Sequence, residues 1–198
     1  MGFSPVEAIV VVFASYVFGS GIIDGYVGVS FSNLPLFTYH EFWVVGINVG
    51  GAVIPVLLSL YLAFKNRLQL RSILVGIGIV AVVTFLVTIP DPERGIVSEF
   101  PYWLIPAVVA SVLSLWLYWR EKQKAAPLAY LLGTFGVLIG ADVFHLIQLL
   151  NSEIHVMRTA VIGGASVFDM VFITGLLAVF LDSLLTFQRQ RKKKNEDY

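Results

Sequence analysis

The chain has 198 residues, of which 58% are hydrophobic and 13% charged, and its mean hydropathy is +0.85. Apolar runs of membrane-span length recur from end to end, which excludes an ordinary water-soluble domain. The formal net charge is +0, and the absence of cysteine excludes disulfides, thiolate nucleophiles and Cys-ligated zinc or iron–sulfur centres.

Hydropathy and helix breakers predict an all-α, polytopic membrane protein of about six transmembrane helices, a single transmembrane domain over residues 1–198. The first span runs from Pro5 to Gly21. Because MGFSPVEAIVVVF lacks a basic leader and a small-residue cleavage site, this helix is expected to remain in place. The next stretch, GIIDGYVGVSFSNLPLFTYHEFW, is Gly-rich, aromatic and too apolar for a free loop, so a re-entrant or interfacial segment is expected. The second span runs from Glu41 to Phe64 and the third from Arg71 to Ile89. The connection IPDPERGIVSEFPYW, with Pro90, Pro92 and Pro101, breaks the chain at its middle and is a candidate boundary between halves 1–89 and 102–187. The fourth span covers Tyr102 to Trp119, the fifth Pro127 to Leu150 and the sixth Gly163 to Phe187. A basic tail, 188–198, follows. Pro55 and Pro106 fall inside spans two and four and are expected to kink them.

Basic residues concentrate in two loops (Lys65, Arg67 and Arg71; Arg120, Lys122 and Lys124) and in the tail RQRKKKNEDY, whereas the other connections hold only Arg94 and Arg158. By the positive-inside rule both termini are cytoplasmic, and the even number of spans agrees. A multi-pass cell-membrane protein is the expectation. Trp43, Tyr102, Trp103, Trp116 and Trp119 sit near span ends as interfacial anchors. The partner read from the tail is the lipid bilayer with its anionic headgroups, and the run is too short to argue for nucleic acid. Asp182 and Glu7 read as ion-pair partners at the cytoplasmic side, and His155 as solvated.

Spans two and six open on the same triplet, Asn48-Val-Gly-Gly-Ala and Val161-Ile-Gly-Gly-Ala. As a repeat, this would make the hairpins of spans one–two and five–six parallel in topology, with a site at their interface. Read plainly, the glycines are close-packing positions.

Asp142, in LIGADVFHLIQLL, and Asp169, in GGASVFDMVFITGLLAVFL, lie inside apolar spans. An ionisable group in hydrocarbon costs several kcal/mol unless it faces protein or a water cavity, so the pair is the functional-site hypothesis. At about 1.5 Å of rise per residue, Asp169 lies about 9 Å, Asp142 about 12 Å and Asn48 about 10 Å inside the outer ends of their spans. These three polar side chains are expected to converge, with His145, Gly163 and Gly164 beside them to orient or bind. Two carboxylates in a poorly solvated site split into an acid and a base. That serves hydrolysis of a transmembrane peptide with Asp142 and Asp169 as catalytic groups; it serves equally a proton- or cation-coupled carrier that loads the same aspartates. A third reading is structural, a membrane assembly role in which each aspartate satisfies backbone groups beside Gly140, Gly163 and Gly164 or bonds Asn48 and Ser166. No cofactor is expected. A metal is left undecided: Asp142, His145, Asp169 and His40 are the nearest to a ligand set, without an HExxH pattern or a Cys ligand.

GINVGGAVIPVLLSLYL, LAYLLGTFGVLIGADVFHL and GGASVFDMVFITGLLAVFL resemble a prokaryotic family of small multispanning membrane proteins catalogued as a domain of unknown function. The resemblance implies that Asn48, Asp142 and Asp169 are the polar points of its motif blocks. A looser likeness is to intramembrane aspartyl proteases of the presenilin and signal-peptide-peptidase class, which carry one aspartate on each of two adjacent helices. Here the Tyr-Asp, Gly-x-Gly-Asp and Pro-Ala-Leu motifs of that class are missing.

Overall fold

Among the described residues the apolar runs fold largely as helices, but all three outer connections contain strands, as does the start of the second expected span. The computed structural model describes residues 20–27, 32–40, 42–152 and 156–164, with positions 13, 16–18, 173, 177, 180 and 184. Most of spans one and six, including Glu7, Asp169 and Asp182, lies outside the described residues, as do Glu41, His155, Ser166 and the basic tail.

A short helix α1 (Ile22–Val27) precedes the hairpin of β1 (Asn33–Tyr39) and β2 (Trp43–Asn48). β2 runs directly into a π-helical turn (Val49–Val53) and helix α2 (Ile54–Lys65). Helix α3 (Leu70–Val87) leads to the hairpin of β3 (Ile89–Asp91) and β4 (Gly95–Val97). A 3-10 turn (Tyr102–Leu104) opens helix α4 (Ile105–Leu117). A second 3-10 turn (Lys122–Lys124), α5 (Ala125–Val137), a π turn (Leu138–Val143) and α6 (Phe144–Leu150) form one continuous rod, and β5 (Arg158–Ile162) follows.

The chain is therefore mostly helical but not all-α. β1, β2 and β5 form a sheet in that order, with β2 antiparallel to β1 and parallel to β5. WVVGIN and RTAVI are short runs rich in β-branched residues, and average hydropathy does not separate such a strand from a helix. The expected second span is corrected accordingly: its first third is β2, and its helix is correspondingly short. The stretch expected to be re-entrant or interfacial is α1 and the β1 arm of the hairpin. Two helical rods, Leu70–Val87 and Lys122–Leu150, are long and apolar enough to cross a membrane, whereas Val49–Lys65 and Tyr102–Leu117 are shorter apolar helices.

α5 is the central helix. It packs on α2, α3 and α4, and all its residues except Phe135 are buried. The helices around it are sorted in an unusual sense. α3 buries Gly76, Val80, Ala81 and Thr84 but exposes Leu70, Leu74, Val82 and Leu86. α4 buries Pro106, Ala107, Ala110 and Ser114 and exposes Val108, Val112 and Trp116. Small residues let backbones approach closely: a Cβ on Gly136 would meet the Val80 side chain at 2.5 Å. The hydroxyls inside these helices donate to their own backbone, Thr84 to Val80 at 2.8 Å and Ser114 to Ala110 at 2.7 Å.

The sheet caps one end of the bundle, where Trp43 of β2 and Ala160 of β5 pack with Leu149 of α6. At the other end the α2–α3 and α4–α5 loops meet, the Gln69 backbone N–H donating to the Tyr118 hydroxyl at 2.8 Å. At the sheet end, the β3–β4 turn is closed by Asp91, whose carboxylate accepts the Glu93 and Arg94 backbone N–H groups at 2.7 and 3.0 Å. These bonds, Glu93 first, hold its carboxyl below the ordinary value of 3.8. A lowered acid stabilises the turn above its unfolded pKa, and the contribution is lost as pH falls through the folded value. The Arg94 amide resonance is expected to titrate with a midpoint below 3.8 in the native chain and not at all in Asp91→Asn, measured by NMR in micelles.

Candidate functional site

β2 ends on Asn48, which is 1% exposed. Its Oδ1 accepts the Gly51 backbone N–H at 2.7 Å and its Nδ2 donates to Asn33 Oδ1 at 2.8 Å. Asn48 thus caps the π turn that starts α2, satisfying a helix-end donor, and ties that start to the neighbouring strand. Its depth cannot be reckoned at helical rise, because the residues before it are extended.

One turn on, Gly51 meets Gly163, the residue after β5. The Gly163 carbonyl oxygen occupies the place a Gly51 Cβ would take, and a Cβ on Gly163 would lie 2.6 Å from the Ala52 Cβ. Gly163 and Gly164 have φ of +88° and +70°, a left-handed pair that glycine adopts without a Cβ penalty. This turn directs the Gly163 N–H to Asp142, whose Oδ2 accepts it at 2.8 Å. Asp142 is 8% exposed and sits in the π turn between α5 and α6. Next to it Gly140 packs on the Ala81 carbonyl, and its absent Cβ would stand 2.8 Å from the Thr84 Cβ. Both π turns among the described residues therefore border this junction, one after Asn48 and one around Asp142; such turns are rare and concentrate at functional sites.

Asp142 also borders a cavity of about 120 Å³. Leu146 and Leu149 of α6 continue its helix wall; Arg94, Gly95 and Ile96 come from the β3–β4 hairpin, residues 159–162 from β5 and Gly164 from the turn after it. Asp142 and Arg94 are the charged side chains on that wall. Arg158 braces the two extended walls, one guanidinium nitrogen donating to the Glu93 carbonyl at 3.0 Å.

His145 is occupied elsewhere. Its ring stacks on Phe85 at 4.5 Å, Nε2 donates to the Phe85 carbonyl at 3.2 Å, and Nδ1 lies 2.9 Å from the Gln148 side-chain oxygen. Phe85 belongs to the last turn of α3, whose carbonyls lack intrahelical partners. Thr88 serves the Thr84 carbonyl at 2.8 Å and Ser98 that of Val87 at 2.6 Å, so His145 is the third donor in a helix-end cap. His145→Phe is expected to keep the stacking, lose about 1 kcal/mol of stability for the orphaned carbonyl, and leave any activity of the Asp142 site in place, checked by thermal melting beside the activity assay.

The structure thus brings together Asn48, Gly163, Gly164 and Asp142. Asp169, the second expected carboxylate, lies outside the described residues. His40 sits in the β1–β2 turn, edge-on to Tyr39. Among the described residues no group of three or more His, Cys, Asp or Glu side chains could hold a metal ion. Sequence reasoning passed over Asn33, Gly51, Arg94 and Thr159 as site residues. Gly51 lay within the repeated Gly-Gly-Ala, and Arg94 stood out as one of two basic residues in the outer connections. The two Gly-Gly-Ala segments do follow parallel strands, but two residues out of step: Ile47 pairs with Ile162, whereas the motifs match Gly51 with Gly164.

The family profile described as "Protein of unknown function (DUF1614)" matches residues 4–181. No curated protein and no solved structure matches the chain. The match covers most of the sequence, and the chain belongs to the DUF1614 family.

Proposed function

We propose that this DUF1614 chain is a multi-pass membrane protein, with both termini cytoplasmic, that works as an intramembrane aspartyl-type hydrolase through Asp142 and Asp169. The membrane placement is supported by the sorting of α3 and α4: large apolar side chains outward and Gly, Ala, Ser and Thr inward suits lipid as the solvent. The observation that carries the hydrolase is the Asp142 carboxylate, buried in the fold yet on the wall of a cavity at the sheet end of the bundle.

In this reading one carboxylate takes a proton from water as the water attacks a peptide carbonyl, while the other, protonated, donates to the carbonyl oxygen. The tetrahedral intermediate then breaks its C–N bond: the leaving amine takes the proton held by the carboxyl that removed it from water, and a hydroxyl of the intermediate returns a proton to the other carboxylate as the acid product forms. The Gly163 N–H holds Oδ2 of Asp142 at 2.8 Å and so orients the carboxylate. Asp169 takes the second role from its place in the sequence.

A carrier that loads a proton or cation on the same aspartates is the second reading. It is favoured by the Ser59 hydroxyl, fully buried in α2 and without a partner among the described residues. One test separates the two: wild type and Asp169→Asn in liposomes, assayed for cleavage of transmembrane peptides and for dissipation of a pH gradient. The hydrolase predicts cleavage that Asp169→Asn abolishes. Proton flux lost in the variant, with all peptides intact, would instead establish the carrier.

A further inference from the structure

A second cavity lies at the sheet end of the bundle. The last turn of α3, the β3–β4 hairpin and the 3-10 turn before α4 enclose a cleft of about 510 Å³ that does not include Asp142. Leu86 and Ile89 form its apolar side and are exposed at the surface. Asp91, Arg94 and Glu99 supply its charges, one guanidinium against two carboxylates. Neither Arg94 nor Glu99 is held in an ion pair among the described residues. A simple anion would meet more repulsion than attraction there. A phosphate followed closely by an ammonium meets partners of both signs and forms charge-assisted hydrogen bonds with each.

The seam between α3 and α4 continues from this cleft as an apolar groove of about 350 Å³. Ile79, two turns from Leu86 on the same face of α3, lines one side, and Val108, Val112 and Trp116 of α4 line the other. All four side chains are exposed. Val108 to Trp116 cover about 12 Å at 1.5 Å per residue, close to half of the roughly 30 Å hydrocarbon core of a bilayer. A charged cleft at the end of a helix pair, with an apolar groove running from it along the same helices, has the form of an amphiphile and not of a soluble zwitterion.

We infer that this seam binds one phospholipid whose headgroup carries a primary ammonium: the phosphate lies on Arg94, the ammonium between Asp91 and Glu99, and an acyl chain along Val108 to Trp116. A choline headgroup has no N–H to donate to the carboxylates, and a glycerol headgroup has no cation for them. The inference rests on the membrane placement proposed above and not on the hydrolase.

Trp116 in the groove makes the site observable. The full chain in maltoside micelles is titrated with phosphatidylethanolamine, phosphatidylcholine and phosphatidylglycerol, each brominated on its acyl chains, and quenching of tryptophan fluorescence is followed. Phosphatidylethanolamine is expected to saturate at roughly fivefold lower concentration than the other two, the scale of one partly exposed charged pair. The saturable quenching is expected to vanish in Trp116→Phe, which assigns it to the groove, and Glu99→Gln to bind all three lipids alike. The wild-type comparison carries the test by itself if a variant fails to fold. Equal saturation by the three lipids, a preference for phosphatidylglycerol, or saturable quenching that survives Trp116→Phe overturns the site and leaves the membrane placement standing. Quenching by none of them overturns both.

Discussion

Gly51→Ala is expected to destabilise the protein by about 3 kcal/mol or more, at the upper end of overpacking substitutions. The new methyl would occupy the position of the Gly163 carbonyl oxygen, and neither backbone has room to yield. Gly51 is held by its N–H bond to Asn48 at 2.7 Å and Gly163 by its N–H bond to Asp142 at 2.8 Å. The strands that precede them are paired through Ile47 and Ile162. Relieving the clash therefore means parting the sheet or breaking the Asp142 bond. Gly78→Ala is the matched control, because a Cβ there meets nothing within 4 Å. Its stability is expected to be unchanged or slightly raised, as alanine is the better helix former. Denaturation of both variants in mixed micelles checks the pair. Equal melting of Gly51→Ala and wild type would mean that the two glycines do not meet.

Asp142 separates structure from chemistry according to the residue that replaces it. In Asp142→Ala the buried Gly163 N–H loses its acceptor, at about 1–3 kcal/mol. The junction of β5 with the bundle is expected to loosen, which protease accessibility after Ile162 would report. Asn keeps a side-chain oxygen where Oδ2 now accepts at 2.8 Å, so Asp142→Asn is expected to melt within about 1 kcal/mol of wild type. It cannot exchange a proton as a carboxyl does. On the hydrolase reading, cleavage falls by roughly 10²–10⁴-fold, the range for loss of a general acid or base. A structural role for Asp142 predicts the opposite ranking, with Asp142→Asn indistinguishable from wild type in every assay.

The helices were legible because hydropathy and breakers report length and apolarity directly. The third span, expected from Arg71 to Ile89, is the helix Leu70–Val87, and the fifth ends at Leu150 as expected. The strands were not legible, since WVVGIN and RTAVI raise hydropathy as a helix would, and parallel pairing across more than a hundred residues leaves no local mark. The expectation that Asn48 and Asp142 converge rested on a depth estimate that does not apply to an extended segment. Each bonds one of two glycines that meet, Asn48 the Gly51 N–H and Asp142 the Gly163 N–H, and backbone proximity of that kind is announced by no side chain. His145 was placed on the face of Asp142 by counting three residues along a regular helix. The π turn ends at Val143, between the two, and its wider i→i+5 bonding changes the angular step. His145 therefore reaches Phe85 on α3.

On the proposed reading the Asp142 carboxyl performs hydrolysis. The most direct measurement incubates a panel of transmembrane peptides with wild type and with Asp142→Asn in the same micelles, at matched melting temperatures, and locates any products by mass spectrometry. The account predicts wild-type cuts toward the end of the peptide that lies with the sheet, because Asp142 is about 12 Å from the end of its helix, and no products from Asp142→Asn. Intact peptides with wild type, or the same products from both proteins, would contradict it.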